Sequence, residues 1–390
     1  LKKLAIITTH PIQYNAPVFK LLTARNNINI KVFYTWGETV LKNKYDPGFG
    51  KVIDWDIPLL QGYDYSMVEN LSSDPGSHHY KGIVNPGLNS DIIKWGADAV
   101  LIFGWNFKSH FAAMRYFHGR IPVLFRGDST NLDLGGNVLK NLIRRIALKF
   151  IYLFTDKLLY TGKANKDYYS SAGVGELKLV FAPHAIDNKR FSASTNLNFK
   201  EKLKLPEDAV LFLYAGKFEE KKNVNLLIDA FLKLASKKAN LLLVGNGPQE
   251  KTIKLKVDNF ENSIKSRIHF LDFQNQSLMP DLYQSCDVFI LPSKGPGETW
   301  GLAINEAMAS SKPIIVSDKC GVSQDLISDG FNGYVFESNN THSLVEKMNY
   351  FISHKNKIIE FGFNSSQMIK DWSFEKICDA IETVINDSSK

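Results

Sequence analysis

Residues 291–318 read LPSKGPGETWGLAINEAMASSKPIIVSD. This stretch predicts a strand, a glycine-rich loop, a helix and a further strand. Cys286–Leu291 (CDVFIL) is a short apolar run stopped by Pro292, the pattern of a buried parallel strand. Gly295, Pro296 and Gly297 form a loop that can bend sharply and bring a ligand close to the backbone. From Gly301 the apolar positions Leu302, Ala303, Ala307 and Met308 fall at helical spacing, and Lys312-Pro313 ends the run. A glycine loop feeding a helix offers unpaired N–H groups and the positive end of the helix dipole. That combination suits a phosphate.

Two carboxylates sit in this frame, Glu298 in the loop and Glu306 in the helix, with seven residues between them. One reading makes Glu298 a first-turn charge complementing the dipole and Glu306 a solvated helix residue. Yet Glu306 lies among Ala303, Ala307 and Met308, where a solvated side chain is less expected. Beside a diphosphate a carboxylate is repelled unless it grips hydroxyls. It can accept from two neighbouring hydroxyls at once, as a ribose diol or a sugar ring presents them.

The residues resemble the retaining glycosyltransferases of family 4, which have the two-domain GT-B fold. The signature of that family is similar to Pro292-Ser293, Glu298, Trp300-Gly301-Leu302, Glu306-Ala307-Met308-Ala309 and the strand Pro313-Ile314-Ile315. The resemblance implies that Glu298 holds donor-sugar hydroxyls and Glu306 the nucleotide ribose, with Trp300, Gly301 and Leu302 lining the donor site. It also implies front-face transfer without an enzyme nucleophile, so Glu298 is expected to be a stabiliser rather than a base.

At 390 residues the chain has material for about two domains. The hydrophobic fraction of 44% and charged fraction of 22% are those of an ordinary globular protein. No apolar run approaches the roughly 18–20 residues of a membrane span. The N-terminal LKKLAIITTH is strand-like and does not suggest a secretion signal. Cys286, Cys320 and Cys378 have no ligand spacing and fit reduced thiols, so a cytoplasmic protein is expected. Residues 1–185 hold 22 basic against 14 acidic side chains, and the remainder 25 against 26, so the first half carries the entire excess of the +7 net charge. An acidic partner is expected there: an anionic membrane surface or a phosphate-linked acceptor. No nucleic-acid motif is present.

Leu4–Thr9 is a buried-type strand, and the following His10-Pro11-Ile12-Gln13-Tyr14 stands where many GT-B enzymes have a glycine-rich loop. His10 is a candidate hydrogen-bonding group at the reacting sugar, or a structural loop histidine. Residues 46–63 are turn-rich and aromatic and predict an excursion above the sheet. Their Asp54-Trp55-Asp56 has the form of an Asp-x-Asp metal signal, but without a third ligand type nearby a structural role is favoured; His78-His79 likewise need no metal. Arg126-Gly127-Asp128-Ser129 follows the strand Val123–Phe125 and is not evidence of integrin binding. Arg126 and Asp128 contact a sugar or form an internal ion pair. Leu139–Phe154 is an amphipathic helix with Leu139, Leu142, Ile143, Ile146, Phe150, Leu153 and Phe154 on one face and Lys140, Arg144, Arg145 and Lys149 off it. It either covers a sheet or meets anionic headgroups.

Pro183-His184-Ala185-Ile186-Asp187 with Phe191 resembles the family's interdomain linker, with His184 and Ala185 in place of the usual Asn and Gly. After the strand Ala209–Ala215, Gly216-Lys217 to Lys222 resembles the family's phosphate loop, with Lys217 where an Arg is usual and Lys222 as second cation. Two cations at a strand–helix turn neutralise a departing diphosphate, although Lys lacks the bidentate geometry of Arg. Gly245-Asn246-Gly247-Pro248 is similar to a further family turn, residues 330–335 predict hairpin-like turns, and the last helix, Ser373–Asp387, is expected to cross back to the first domain.

The expectation is an α/β protein of GT-B type: two Rossmann-like doubly wound domains facing a cleft, 1–185 on the acceptor side with 373–390, and 186–372 binding a nucleotide sugar. The expected activity is metal-independent glycosyl transfer from a nucleotide-diphosphate sugar to a glycan or lipid-linked acceptor of bacterial surface polysaccharide, lipopolysaccharide or capsule. The rivals are a GT-B sugar-nucleotide epimerase, which needs further acid/base groups, and an inactive partner subunit.

Overall fold

The computed structural model describes residues 1–38, 45–46, 48–132, 134–135, 137–194 and 197–387. The chain forms two compact units. The first comprises Leu1–Lys44, Ile57–His184 and Phe374–Lys390, the second Tyr45–Asp56 and Ala185–Ser373.

In the first unit, β1 (Lys3–Thr8) and β2 (Asn29–Tyr34) precede an excursion in which β3 (Tyr45–Asp46) pairs antiparallel with β4 (Lys51–Val52). The chain returns through β5 (Asp64–Met67), β6 (Ala99–Phe103), β7 (Val123–Arg126), β8 (Lys157–Tyr160) and β9 (Leu179–Phe181). The seven-stranded sheet has the order β5-β2-β1-β6-β7-β8-β9, with every pair parallel. Leu4, Ala5, Ile6 and Ile7 are wholly buried because β1 lies at the centre with both faces covered. β1 pairs with β2 on one side and with β6 on the other, so the winding reverses there. Ligand crevices open at such a point, beyond the carboxyl ends of the strands. The last helix, Phe374–Asp387, belongs to this unit: Arg25 donates to Asp379 at 2.7 Å and to Glu382 at 3.1 Å, and Lys2 Nζ donates to the Ile385 carbonyl at 2.9 Å.

The second unit repeats the plan with β10 (Val210–Ala215), β11 (Ala239–Val244), β12 (Ile268–Leu271), β13 (Val288–Leu291), β14 (Ile314–Ser317) and β15 (Gly333–Phe336). The order is β12-β11-β10-β13-β14-β15, again parallel throughout. β10 and β13 are therefore neighbours across the reversal, with Phe212 opposite Val288 and Leu213 opposite Phe289. The loops that follow these two strands emerge side by side.

Three sequence expectations change. Residues 330–335 are not hairpin-like turns: Gly333–Phe336 is a parallel edge strand on β14. A side chain on Gly333 would strike the Ile314 carbonyl at 2.2 Å, so a glycine lets that strand close in. The excursion expected at residues 46–63 is split: its part up to Asp56 packs within the second unit, whereas the chain from Ile57 onward belongs to the first. The amphipathic helix, Val138–Tyr152, does not cover a sheet with its broad apolar face. It buries Leu148, Ile151 and Tyr152, while Val138, Leu139, Leu142, Ile143, Ile146 and Phe150 stay 52–80% exposed. Asn137 caps it by accepting from the Lys140 N–H at 3.0 Å.

Candidate functional site

The loop after β10 is held to the loop after β11 through glycines. A Cβ on Gly245 would meet the Gly216 carbonyl at 2.0 Å, and Phe218 N donates to the Asn246 carbonyl at 2.9 Å. Tyr214, rooted in β10, donates its hydroxyl to the Lys217 carbonyl at 2.7 Å. The chain then makes a short 3-10 turn, Glu220–Lys222, passes through Asn223 at φ 56° and enters the helix Val224–Leu232.

The neighbouring loop after β13 brings Glu298 against that turn. Lys222 Nζ pairs with Glu298 Oε2, and the same oxygen accepts from Ser293 Oγ at 2.8 Å. Ser293 is fully buried and Glu298 is 8% exposed. A carboxylate this enclosed requires both a charge partner and hydrogen bonds. The segment is clamped from its other side: Gly321 N reaches the Glu298 carbonyl at 3.4 Å, and Val322 N the Trp300 carbonyl at 3.1 Å. Trp300 stacks on Trp372 with ring centres 4.9 Å apart and donates its indole N–H to Asn305 Oδ1 at 2.8 Å. These two contacts brace the loop.

Gly301 stands at φ 107°, and a Cβ there would meet Leu291 Cδ2 at 2.8 Å, so the turn into the helix Leu302–Ala309 requires glycine. Within that helix Glu306 is 3% exposed and accepts from the Tyr283 hydroxyl at 2.8 Å. The solvated alternative for Glu306 is thereby removed. Burial, followed by the charge of Glu298, pushes the nearby Cys320 thiol up to about 12, so it stays protonated at neutral pH.

The first unit holds the remaining sequence candidates. His10 follows β1, its Nδ1 lies 2.9 Å from Thr9 Oγ1, and its ring meets Trp36 edge-on at 5.2 Å. Asp128 is exposed beyond β7, with its Oδ2 3.9 Å from His184 Nε2. Arg126 is buried and donates to the Ala182 and Pro183 carbonyls at 2.7 and 2.9 Å. Its guanidinium thus anchors the start of the linker. Burial holds it down to about 10. Asp56 is likewise committed, accepting from Ser277 N at 3.1 Å. Asp74, His78 and His79 gather in an exposed loop with ligand atoms within 4.8 Å of one another, and His78 Nε2 lies 3.1 Å from Asp74 Oδ2.

Sequence reasoning passed over Ser293, Tyr283 and Asp46. Ser293 was visible only as part of the Pro292-Ser293 pair. Tyr283 lies 23 positions from Glu306, a separation no local pattern reveals. Asp46 reaches its partner Lys217 across 171 positions.

With this geometry in place, residues 196–367 match the family model described as Glycosyl transferases group 1. A sequence relative, the uncharacterized glycosyltransferase MJ1178 of Methanocaldococcus jannaschii, is 27% identical over 65% of this chain and 66% of its own length. The lipopolysaccharide 1,2-N-acetylglucosaminetransferase of Salmonella typhimurium is 25% identical over 51% of this chain and 54% of its own. The chain thus spans between half and two thirds of these relatives. Among solved structures, Anabaena HepE in complex with UDP superposes with a TM-score of 0.73 at 16% identity, covering 99% of this chain and 100% of that one. At that identity the likeness speaks for the fold alone. The fold is that of the GT-B glycosyltransferases, with two Rossmann-like halves.

Proposed function

We propose that this protein is a metal-independent, retaining glycosyltransferase that takes a sugar from a nucleoside-diphosphate donor held on the second unit. The observation that carries this reading is the contact between the loops after β10 and β13, where Lys222 meets Glu298. Cations suited to a diphosphate and a carboxylate suited to sugar hydroxyls come from two separate strand ends into one cluster. UDP bound to a protein of the same fold and a lipopolysaccharide N-acetylglucosaminetransferase among the relatives support the donor and acceptor classes.

In this reading Gly216 leaves room for the diphosphate, and Lys217 and Lys222 offset its charge. Trp300 braces the loop while Gly301 and Leu302 present the helix N-terminus, and Glu306 grips the ribose. The bond between the anomeric carbon and the β-phosphate oxygen breaks, and its electron pair passes to the diphosphate. The acceptor oxygen attacks from the same face, and its proton passes to the departing phosphate oxygen. Glu298 steadies the sugar hydroxyls, with Ser293 and Lys222 fixing its orientation. His10 and Asp128, at carboxyl ends of the first sheet, are assigned to the acceptor sugar and the reacting hydroxyl. The acceptor is a glycan or a lipid-linked sugar of a bacterial surface polysaccharide. The exposed apolar ridge of the helix Val138–Tyr152, with its basic flanks, supports work at an anionic membrane surface.

A panel of UDP-, GDP- and dTDP-sugars, assayed for donor hydrolysis and transfer with and without excess EDTA, tests the reaction class. One nucleotide class should be consumed, and EDTA should leave the rate unchanged. Loss of turnover that magnesium or manganese restores would contradict the metal-free mechanism. No turnover of any donor would favour the inactive-subunit reading.

A further inference from the structure

Lys217 stands at the end of β10 with its ammonium already engaged. Nζ donates to both carboxylate oxygens of Asp46, at 2.9 and 3.0 Å, and lies 5.0 Å from the centre of the Phe49 ring. Asp46 comes from the excursion between β2 and β5, and several contacts seat that strap on the second unit. Phe49 and Trp55 pack edge-on against Phe273 at 4.8 and 6.1 Å. The Asp54 carbonyl accepts from Asn275 Nδ2 at 2.5 Å, and Asp56 accepts from Ser277 N at 3.1 Å. Glycines allow the approach: a Cβ on Gly48 would lie 2.7 Å from Lys217 Nζ, and one on Gly247 would lie 2.9 Å from the Gly48 carbonyl.

The carboxylate is also fixed by its own turn, where Oδ1 accepts from Gly48 N at 2.8 Å and from Phe49 N at 3.2 Å. Two oxygens and a negative charge are thereby presented to Lys217 much as a phosphate presents them. A diphosphate and Asp46 have use for the same ammonium. One cation cannot satisfy both at full strength.

We propose that Asp46 is a built-in counter-ion of the donor site, competing with the donor's diphosphate for Lys217, so that the Tyr45–Asp56 strap sets nucleotide affinity. The inference rests on the assignment of Lys217 to the diphosphate made above. Asp46→Asn is the discriminating change, because Asn keeps the carbonyl oxygen that the Gly48 and Phe49 amides need while removing the charge; Asp46→Ser is the second variant should Asn fold poorly. Removing a partly exposed charge-assisted competitor should tighten UDP binding roughly 5- to 30-fold. Uridine, which lacks the diphosphate, should bind equally to wild type and variant, and the gain should vanish in the Lys217→Ala background. Calorimetric titration of UDP and uridine into the four proteins reads all of this. If Lys217→Ala weakens UDP binding while Asp46→Asn leaves it unchanged or weaker, the competition is overturned and the donor-site assignment stands. If Lys217→Ala has no effect on UDP, both fall together.

Discussion

Glu298 and Glu306 are both buried carboxylates, but their surroundings differ. Glu298 faces a lysine and a buried serine hydroxyl, groups that fix its orientation. Glu306 faces the Tyr283 hydroxyl inside a helix, a setting that favours further hydroxyl partners. The first unit offers a sharper case of a residue set by its surroundings. His110 is wholly buried, its Nδ1–H donates to the Phe103 and Gly104 carbonyls at 3.0 Å each, and Nε2 accepts from Thr35 Oγ1 at 2.8 Å. Burial pushes this imidazole down to about 4, with the two carbonyls opposing. The unfolded chain therefore takes up a proton near pH 6.5, before the folded one does, and stability drains as pH falls from there towards 4. The slope contributed by one such histidine approaches about 1.4 kcal/mol per pH unit. Urea unfolding of wild type and His110→Gln at pH 7.5 and pH 5 should show the variant losing less on acidification; equal losses would refute the neutral buried assignment. The sequence held no sign of His110, because its partners, two carbonyls and the Thr35 hydroxyl, are brought to it by the fold rather than by any local pattern.

At the scale of elements, legibility followed burial. Strands interior to the sheet, such as Ala99–Phe103 and Lys157–Tyr160, have the bounds their apolar runs imply. Asp64–Met67 and Gly333–Phe336 are edge strands of mixed composition, and neither carries a period that local patterning can detect. The helix Val138–Tyr152 was legible as an amphipathic helix but not in its packing. Its apolar residues spread round two sides, and the narrower set, Leu148, Ile151 and Tyr152, faces the core. The wider ridge stays exposed, which is costly in water and useful at a lipid interface. Arg144 lies over the Tyr168 ring at 5.4 Å and serves packing, so charge reversal belongs at Lys140, Arg145 and Lys149. Sedimentation with anionic vesicles should be strong for wild type, weakened by that triple Glu variant, and weakened by salt over a Debye length of about 8–10 Å. Equal sedimentation of both proteins would leave the helix as a solvated face.

At the scale of the molecule, repetition of one plan made the fold readable: strand, loop and helix recur in each unit, and the winding of each sheet reverses at a central strand. The glycine loops and the Glu298–Glu306 frame carried the candidate donor site, because short-range turn chemistry is written locally. Contacts made across long separations were not readable. The strap is the clearest example: it interrupts the first unit in sequence yet packs with the second, through Phe49, Trp55 and Asp46.

In the proposed donor site Glu306 holds the ribose and Glu298 the sugar. Calorimetric titration of UDP and GDP into wild type, Glu306→Gln and Glu298→Gln tests it most directly. Gln keeps the volume of Glu but offers one carbonyl oxygen where two carboxylate oxygens are needed. Losing one charge-assisted hydrogen bond should raise the dissociation constant of the preferred nucleotide roughly 10- to 150-fold in Glu306→Gln. Glu298→Gln should bind the bare nucleotide nearly as wild type does, while transfer slows. Wild-type affinity in Glu306→Gln would contradict the ribose assignment, and full transfer activity in both variants would contradict the donor site itself.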